Sequence, residues 1–246
     1  EPHTWWFPIV GRVPYLGFFR EQDAQSLVTR MRRKDLDVYA RTAGAYSTLG
    51  WFRDPILVPM LEWGTFDLAE TVLHELAHAT VWIRGRVDFN ESFASFVGEE
   101  AAFRYLEDRY GADSDIVLRA RADFEDVETW RKVLQQLYND LDAVYTHDFL
   151  TSGEKQRRKA EIFSSLGKRV ASAEFHHPER YLHATSTGQW NNARLVQFKT
   201  YNANRGVFET LLAQEDGDLL SFMKRIGEIA QGAADPFEAI ESATQP

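Results

Sequence analysis

Apolar positions recur along this chain with two periods, one close to two residues and one between three and four. The stretch TWWFPIVGRVPYLGFF (4–19) is apolar but broken by prolines, glycines and Arg12, which predicts buried extended chain. Ala24, Leu27, Val28 and Met31 place a short amphipathic helix over 21–34. DVYAR (37–41) alternates like a strand, Gly44 punctuates it, and AYSTLGWF follows as a second extended segment. From Phe66 to about Ile83, Leu68, Val72, Leu76, Ala79 and Ile83 form one helical stripe, broadened by Leu73, Ala77 and Thr80. A stripe this wide predicts a helix buried on most sides. Gly85 breaks it, and Asn90 is the expected N-cap of a second helix, ESFASFVGEEAAFRYLEDRY, with Phe89 and Ala94 as a hydrophobic staple. Residues 114–145 and 152–174 predict an exposed antiparallel helical hairpin. Helical pattern resumes over 191–213 and 217–230, and the tail after Asp235 is expected to fray.

The elements together predict a helix-rich α+β chain. Neither repeats nor low-complexity linkers divide it, so 1–246 is expected as a single domain with a helical subregion over 114–175. At 246 residues, with 44% hydrophobic and 26% charged, the chain can bury a sizeable core. The formal net charge of −9 argues against a nucleic-acid partner, which would require a basic surface. No apolar run reaches the roughly eighteen residues of a membrane span. The first residue is Glu1 rather than Met, as in a mature or trimmed product. There is no cysteine, so disulfides and thiolate metal sites are excluded, and any metal must be held by His and carboxylate.

That restriction directs attention to HELAH (74–78) inside the first long helix. Residues four apart share a helix face, so His74 and His78 can aim two imidazoles at one ion. Glu75 lies beside them, within reach of a water on that ion. After twelve further residues comes Glu91, and Gly85 permits the chain to reverse between the two helices. Two His, one Glu and a water make a catalytic zinc site with an open position. Ser95, one turn beyond Glu91, is placed to accept a second ring N–H from one of the histidines. Each supporting residue also fits a plainer role. Glu91 suits a helix N-terminus through the dipole alone, Asn90 suits a cap, and Ser95 suits a close helix contact. It is their joint spacing that selects the metal site.

HELAH followed by FNESFA resembles the gluzincin metallopeptidases, whose third zinc ligand is a glutamate in such a segment. WWFPIVGRVPYLGFF, AYSTLGWFRDP, HELAHAT and DFNESFASFVGEE, in that order, look more closely like the bacterial "putative aminopeptidase" family. The likeness is strong over about residues 4–110 and weak at QWNNARLVQFKTY (189–201). Members commonly carry a further N-terminal portion, often with a lipoprotein-type signal, and often a cysteine where this chain has Arg12. The resemblance implies a zincin-like core with a small sheet beside the HExxH helix, peptide or protein substrates, and a bacterial cell-envelope or periplasmic setting. It implies one zinc ion on His74, His78 and Glu91, with Glu75 as general base. For the oxyanion donor, Tyr201 ranks ahead of Tyr181 and His183. By analogy with gluzincin edge strands, Gly44, Ala45 and Tyr46 are candidate substrate contacts. An aminopeptidase also needs a carboxylate for the substrate ammonium; Asp88, Glu99 and Glu100 are near in sequence. A zinc endopeptidase with few protein targets and a non-catalytic zinc-bound partner-binding module remain as alternatives.

Overall fold

A computed structural model of the chain describes residues 3–7, 11–42, 56–186, 190–201 and 204–245. Within these the protein is helix-rich, and its sheet is a single antiparallel pair, β1 (Trp5–Phe7) and β2 (Gly11–Val13), in the register Trp5↔Val13, Trp6↔Arg12 and Phe7↔Gly11. Three-residue strands leave one side chain in two facing outwards. Hence Val13 is buried while Trp6 is 63% exposed; beyond the strands Phe19 is 95% exposed, so the expectation of a buried N-terminal stretch is not met. None of the described helices is long and apolar enough to cross a membrane.

The chain divides into two compact units. One comprises Glu1–Leu27, Ala40–Ser114 and Lys199–Pro246; the other comprises Val28–Tyr39 and Asp115–Phe198. Most of the predicted helical subregion therefore falls in the second unit. Helix α1 (Glu21–Arg32) carries acids in its first turn and arginines in its last, the distribution that the helix dipole favours.

In the first unit, α2 (Thr65–Thr80) starts after Gly64 and stops where the β-branched Thr80-Val81 step turns extended, Val81 having φ −131°. Gly85, at φ +77°, makes the left-handed turn that reverses the chain. Helix α3 (Val87–Tyr110) begins four residues earlier than expected and closes at Gly111, φ +86°. Asn90 is thus inside its first turn, not at its cap. Its amide accepts a hydrogen bond from Ile83 N and donates one to Ile83 O, both at 2.8 Å, pinning the loop that joins α2 to α3. The wide apolar stripe of α2 is also corrected. The inward face carries His74, Ala77 and His78, while Leu76 is 56% exposed.

The core of this unit is aromatic. Phe89, Phe93 and Phe96 of α3 meet Phe208 of α9 (Arg205–Gln214), Phe222 of α10 (Leu219–Ala230) and Phe237 of α11 (Pro236–Thr244), with ring centroids 5.2 to 6.4 Å apart. Offset and edge-on rings at such distances add to the burial of their large apolar area. The expected frayed tail is instead the capped helix α11. Asp235 accepts from Phe237 N and Glu238 N, Pro236 fills a first-turn position that requires no N–H donor, and Phe237 and Ile240 enter the core.

In the second unit, α4 (Asp115–Thr146) buries Val133, Leu134, Leu137 and Leu141 against α6 (Leu166–Ala171), α7 (Pro178–Ser186) and α8 (Asn192–Tyr201), the last of which runs on into the first unit. The predicted exposed hairpin is therefore part of a packed layer. The single helix expected over 152–174 divides at Ser165 into α5 (Ser152–Ser164) and α6, and α5 is started by a Thr151/Glu154 capping box. Residues 36–42 form no strand. Asp37 pairs with Lys159 at 2.5 Å and accepts from Asn192 N at 3.1 Å, so side chains and helix ends replace a sheet partner.

Candidate metal centre

Helices α2 and α3 cross closely at Gly98. A Cβ there would lie 2.9 Å from Glu70 O and 3.1 Å from His74 N and Cβ. Only a residue without a side chain allows this approach, and it brings Glu91 under the two histidines of α2. His74 Nε2 and His78 Nε2 are 3.1 Å apart, and Glu91 Oε2 lies 3.5 Å from each. All three residues are buried, and they form a group able to hold a metal ion. Two ring nitrogens and a carboxylate oxygen cannot converge bare, because their lone pairs repel; a proton or a cation belongs among them. The titration of the group reflects this. Burial favours the neutral forms of both Glu91 and His74. Hydrogen bonds with His74 and His78 nonetheless hold Glu91 well below the usual carboxylate range. The contact with Glu91 and the charges of Glu70, Glu91 and Glu75 hold His74 above the ordinary histidine value.

The surroundings orient the donors. Tyr15 donates a 2.9 Å hydrogen bond to Glu91 Oε1. Ser95 Oγ approaches His74 Nδ1 at 3.5 Å, the long edge of hydrogen-bonding distance. The His78 ring packs edge-on to Trp82 with centroids 5.4 Å apart. Glu75 follows His74 on α2 and is partly exposed.

Tyr181 lies in the core of the second unit against Trp130 and Phe175, and His183 is exposed on α7. Tyr201 closes α8, with its side chain outside the described positions, and Gly44, Ala45 and Tyr46 lie outside the described residues. Asp88 is exposed in the first turn of α3. Glu99 is buried and paired with Arg205, whose guanidinium sits 5.0 Å from the Phe96 ring centre. Burial raises the pKa of Glu100.

Three residues near the centre escaped sequence reasoning. Glu70, one turn before His74, has its carboxyl pushed up to about 7 by burial, against the lowering effect of His74; its i, i+4 spacing to His74 was a usable signal. Gly98 was another, since a lone glycine inside a helical pattern marks a close approach. Tyr15 carried no signal that set it apart from the aromatic residues around it.

A buried His–His–Glu group on two antiparallel helices defines a helix-rich protein with a candidate single-metal centre. The chain belongs to a family described as "putative aminopeptidase", whose model matches residues 1–238. Searches of curated proteins and of solved structures returned no match.

Proposed function

We propose that this protein is a zinc-dependent peptidase of the gluzincin type, with a zincin-like core, that removes residues from the N-termini of peptides. The observation that carries the reading is the convergence of His74 Nε2, His78 Nε2 and Glu91 Oε2 beside Glu75, in a chain of an aminopeptidase family. The donor set suits zinc. Bonds of 2.0–2.1 Å in a tetrahedral shell separate neighbouring ligand atoms by about 3.3 Å, and the three separations here are 3.1, 3.5 and 3.5 Å. One ion bound by these three residues keeps a position for water or substrate.

When bound, zinc supplies a Lewis acid that acidifies a water and polarises the scissile carbonyl. The chain's own residues do the rest. Glu75 takes the proton of the attacking water and delivers it to the leaving amine. Tyr201 is the proposed donor to the oxyanion, and Gly44, Ala45 and Tyr46 the proposed substrate contacts, by strand addition. Ser95 braces His74, and Asn90 holds the α2–α3 loop so that Glu91 stays opposite the imidazoles.

Cleavage of a peptide library with free and blocked N-termini, beside metal analysis and a Glu75→Gln variant, tests this reading. The expected result is cleavage of free peptides, a loss of about 10²–10⁴-fold in Glu75→Gln, and metal content unchanged by that variant. Equal cleavage of blocked peptides turns the assignment to an endopeptidase. Bound zinc with no cleavage of any peptide turns it to a partner-binding module.

A further inference from the structure

Tyr15 plays no part in the chemistry just described, yet it makes a long-range hydrogen bond from the N-terminal segment to the metal centre. It lies two residues beyond β2, and its hydroxyl crosses 76 positions of sequence to reach Glu91 Oε1 at 2.9 Å. The two oxygens of Glu91 are thereby divided. Oε2 faces both imidazoles at 3.5 Å, and Oε1 is occupied by the phenol. The division has a chemical consequence. A carboxylate with both oxygens free can turn and chelate an ion through the pair, which raises the coordination number and fills the position that water or substrate requires. A hydrogen bond on one oxygen opposes that turn, because turning the carboxylate to chelate would bend or lengthen the bond and take up a lone pair beside it.

We propose that Tyr15 is a positioning residue: its hydroxyl restricts Glu91 to ligation through one oxygen and so keeps the open position of the metal centre open. The inference rests on the metal-centre reading above. It assigns Tyr15 no contact with reacting atoms. The role falls on the hydroxyl, because Tyr15 is an exposed residue and the neighbouring buried anchor of the hairpin is Val13.

The test uses the full chain loaded with cobalt(II), whose visible absorption is intense at four-coordinate sites and weak at sites of higher coordination. Wild type, Tyr15→Phe and a control, Trp6→Phe on the exposed side of the hairpin, are compared for this spectrum and for zinc affinity by chelator competition. Wild type and Trp6→Phe are expected to show the intense four-coordinate bands. Tyr15→Phe is expected to show the weaker bands of a higher coordination number and about tenfold weaker zinc binding. A Tyr15→Phe protein with the wild-type spectrum and wild-type affinity overturns the role of Tyr15 and leaves the metal centre standing. A wild-type protein that binds neither cobalt nor zinc overturns the metal centre itself, and the proposal with it.

Discussion

Asp126 in the second unit and Glu91 in the first are both buried carboxylates inside long helices, and they solve the cost of burial differently. Asp126 is fully buried and accepts backbone N–H bonds from His176 at 2.5 Å and His177 at 2.8 Å, just ahead of α7. Two amides fixed by the backbone satisfy its charge and tie α4 to the segment that starts α7, an arrangement that requires no further partner. Among the described residues, the partners of Glu91 at these distances are side chains, two imidazoles and a phenol. Imidazole nitrogens exchange a proton for a metal ion, whereas backbone amides do not. What separates a structural acid from a candidate ligand is therefore the chemistry of its partners. Depth of burial does not distinguish them.

Mutation of each acid sharpens the contrast. Glu91→Gln is expected to weaken metal binding by more than about 100-fold, beyond the range of a residue that only supports a ligand, while the metal-free chain still folds; chelator competition and circular dichroism measure the two. Asp126→Ala should do the reverse. It removes the acceptor of the His176 and His177 N–H groups and is expected to cost about 1–3 kcal/mol in denaturant unfolding, with metal stoichiometry intact. Loss of metal in Asp126→Ala, or global unfolding of Glu91→Gln, would erase the distinction.

Gly98→Ala acts on the geometry that brings Glu91 to the histidines. The added methyl meets the backbone of α2 at 2.9 Å, and backbone cannot rotate aside. A cost of about 1–3 kcal/mol is expected, together with weaker metal binding, because the strain falls at His74. Wild-type metal affinity in this variant would show that the helix spacing is not what sets the site.

The smallest effect concerns Glu70, a third acid that neither arrangement satisfies fully. Burial pushes its pKa up from the ordinary carboxylate value of about 4.5 to about 7, so the folded metal-free protein binds a proton that the unfolded chain releases between those values. Stability should thus fall as pH rises from about 4.5 to 7 and stay lower above. Glu70→Gln removes this loss. It is expected to gain about 1–2 kcal/mol over wild type at pH 8 and nothing at pH 4. Parallel unfolding curves at the two pH values would mean that Glu70 titrates normally.

Much of the centre was legible in the chain because it is local. His74, Glu75 and His78 lie on one helix, and their spacing alone assigns them to neighbouring positions of its surface. Glu91 follows after a loop short enough to count and a glycine able to reverse it. Other expectations failed where a local pattern had more than one tertiary outcome. Asn90 has the side chain of an N-cap, but α3 begins at Val87, and the same amide pins Ile83 instead. Leu76 belongs to an apolar stripe, yet it faces outwards because the histidine face of α2 turns to α3.

The sequence by itself determined the helix-rich character, the helix pair that carries the site, the three residues His74, His78 and Glu91 that could hold a metal ion, and the restriction to His and carboxylate ligands. These follow from periodicity and composition, which act over a few residues. Only the tertiary structure decided that Tyr15 meets Glu91, that Gly98 is the crossing point of α2 and α3, that Arg205 neutralises Glu99, and that the last residues form a capped helix in an aromatic core. Each of these joins positions far apart in the chain or depends on which face of an element is covered. Hydrophobicity states that a side chain seeks burial; which partner buries it is settled only when all the elements compete for the same core.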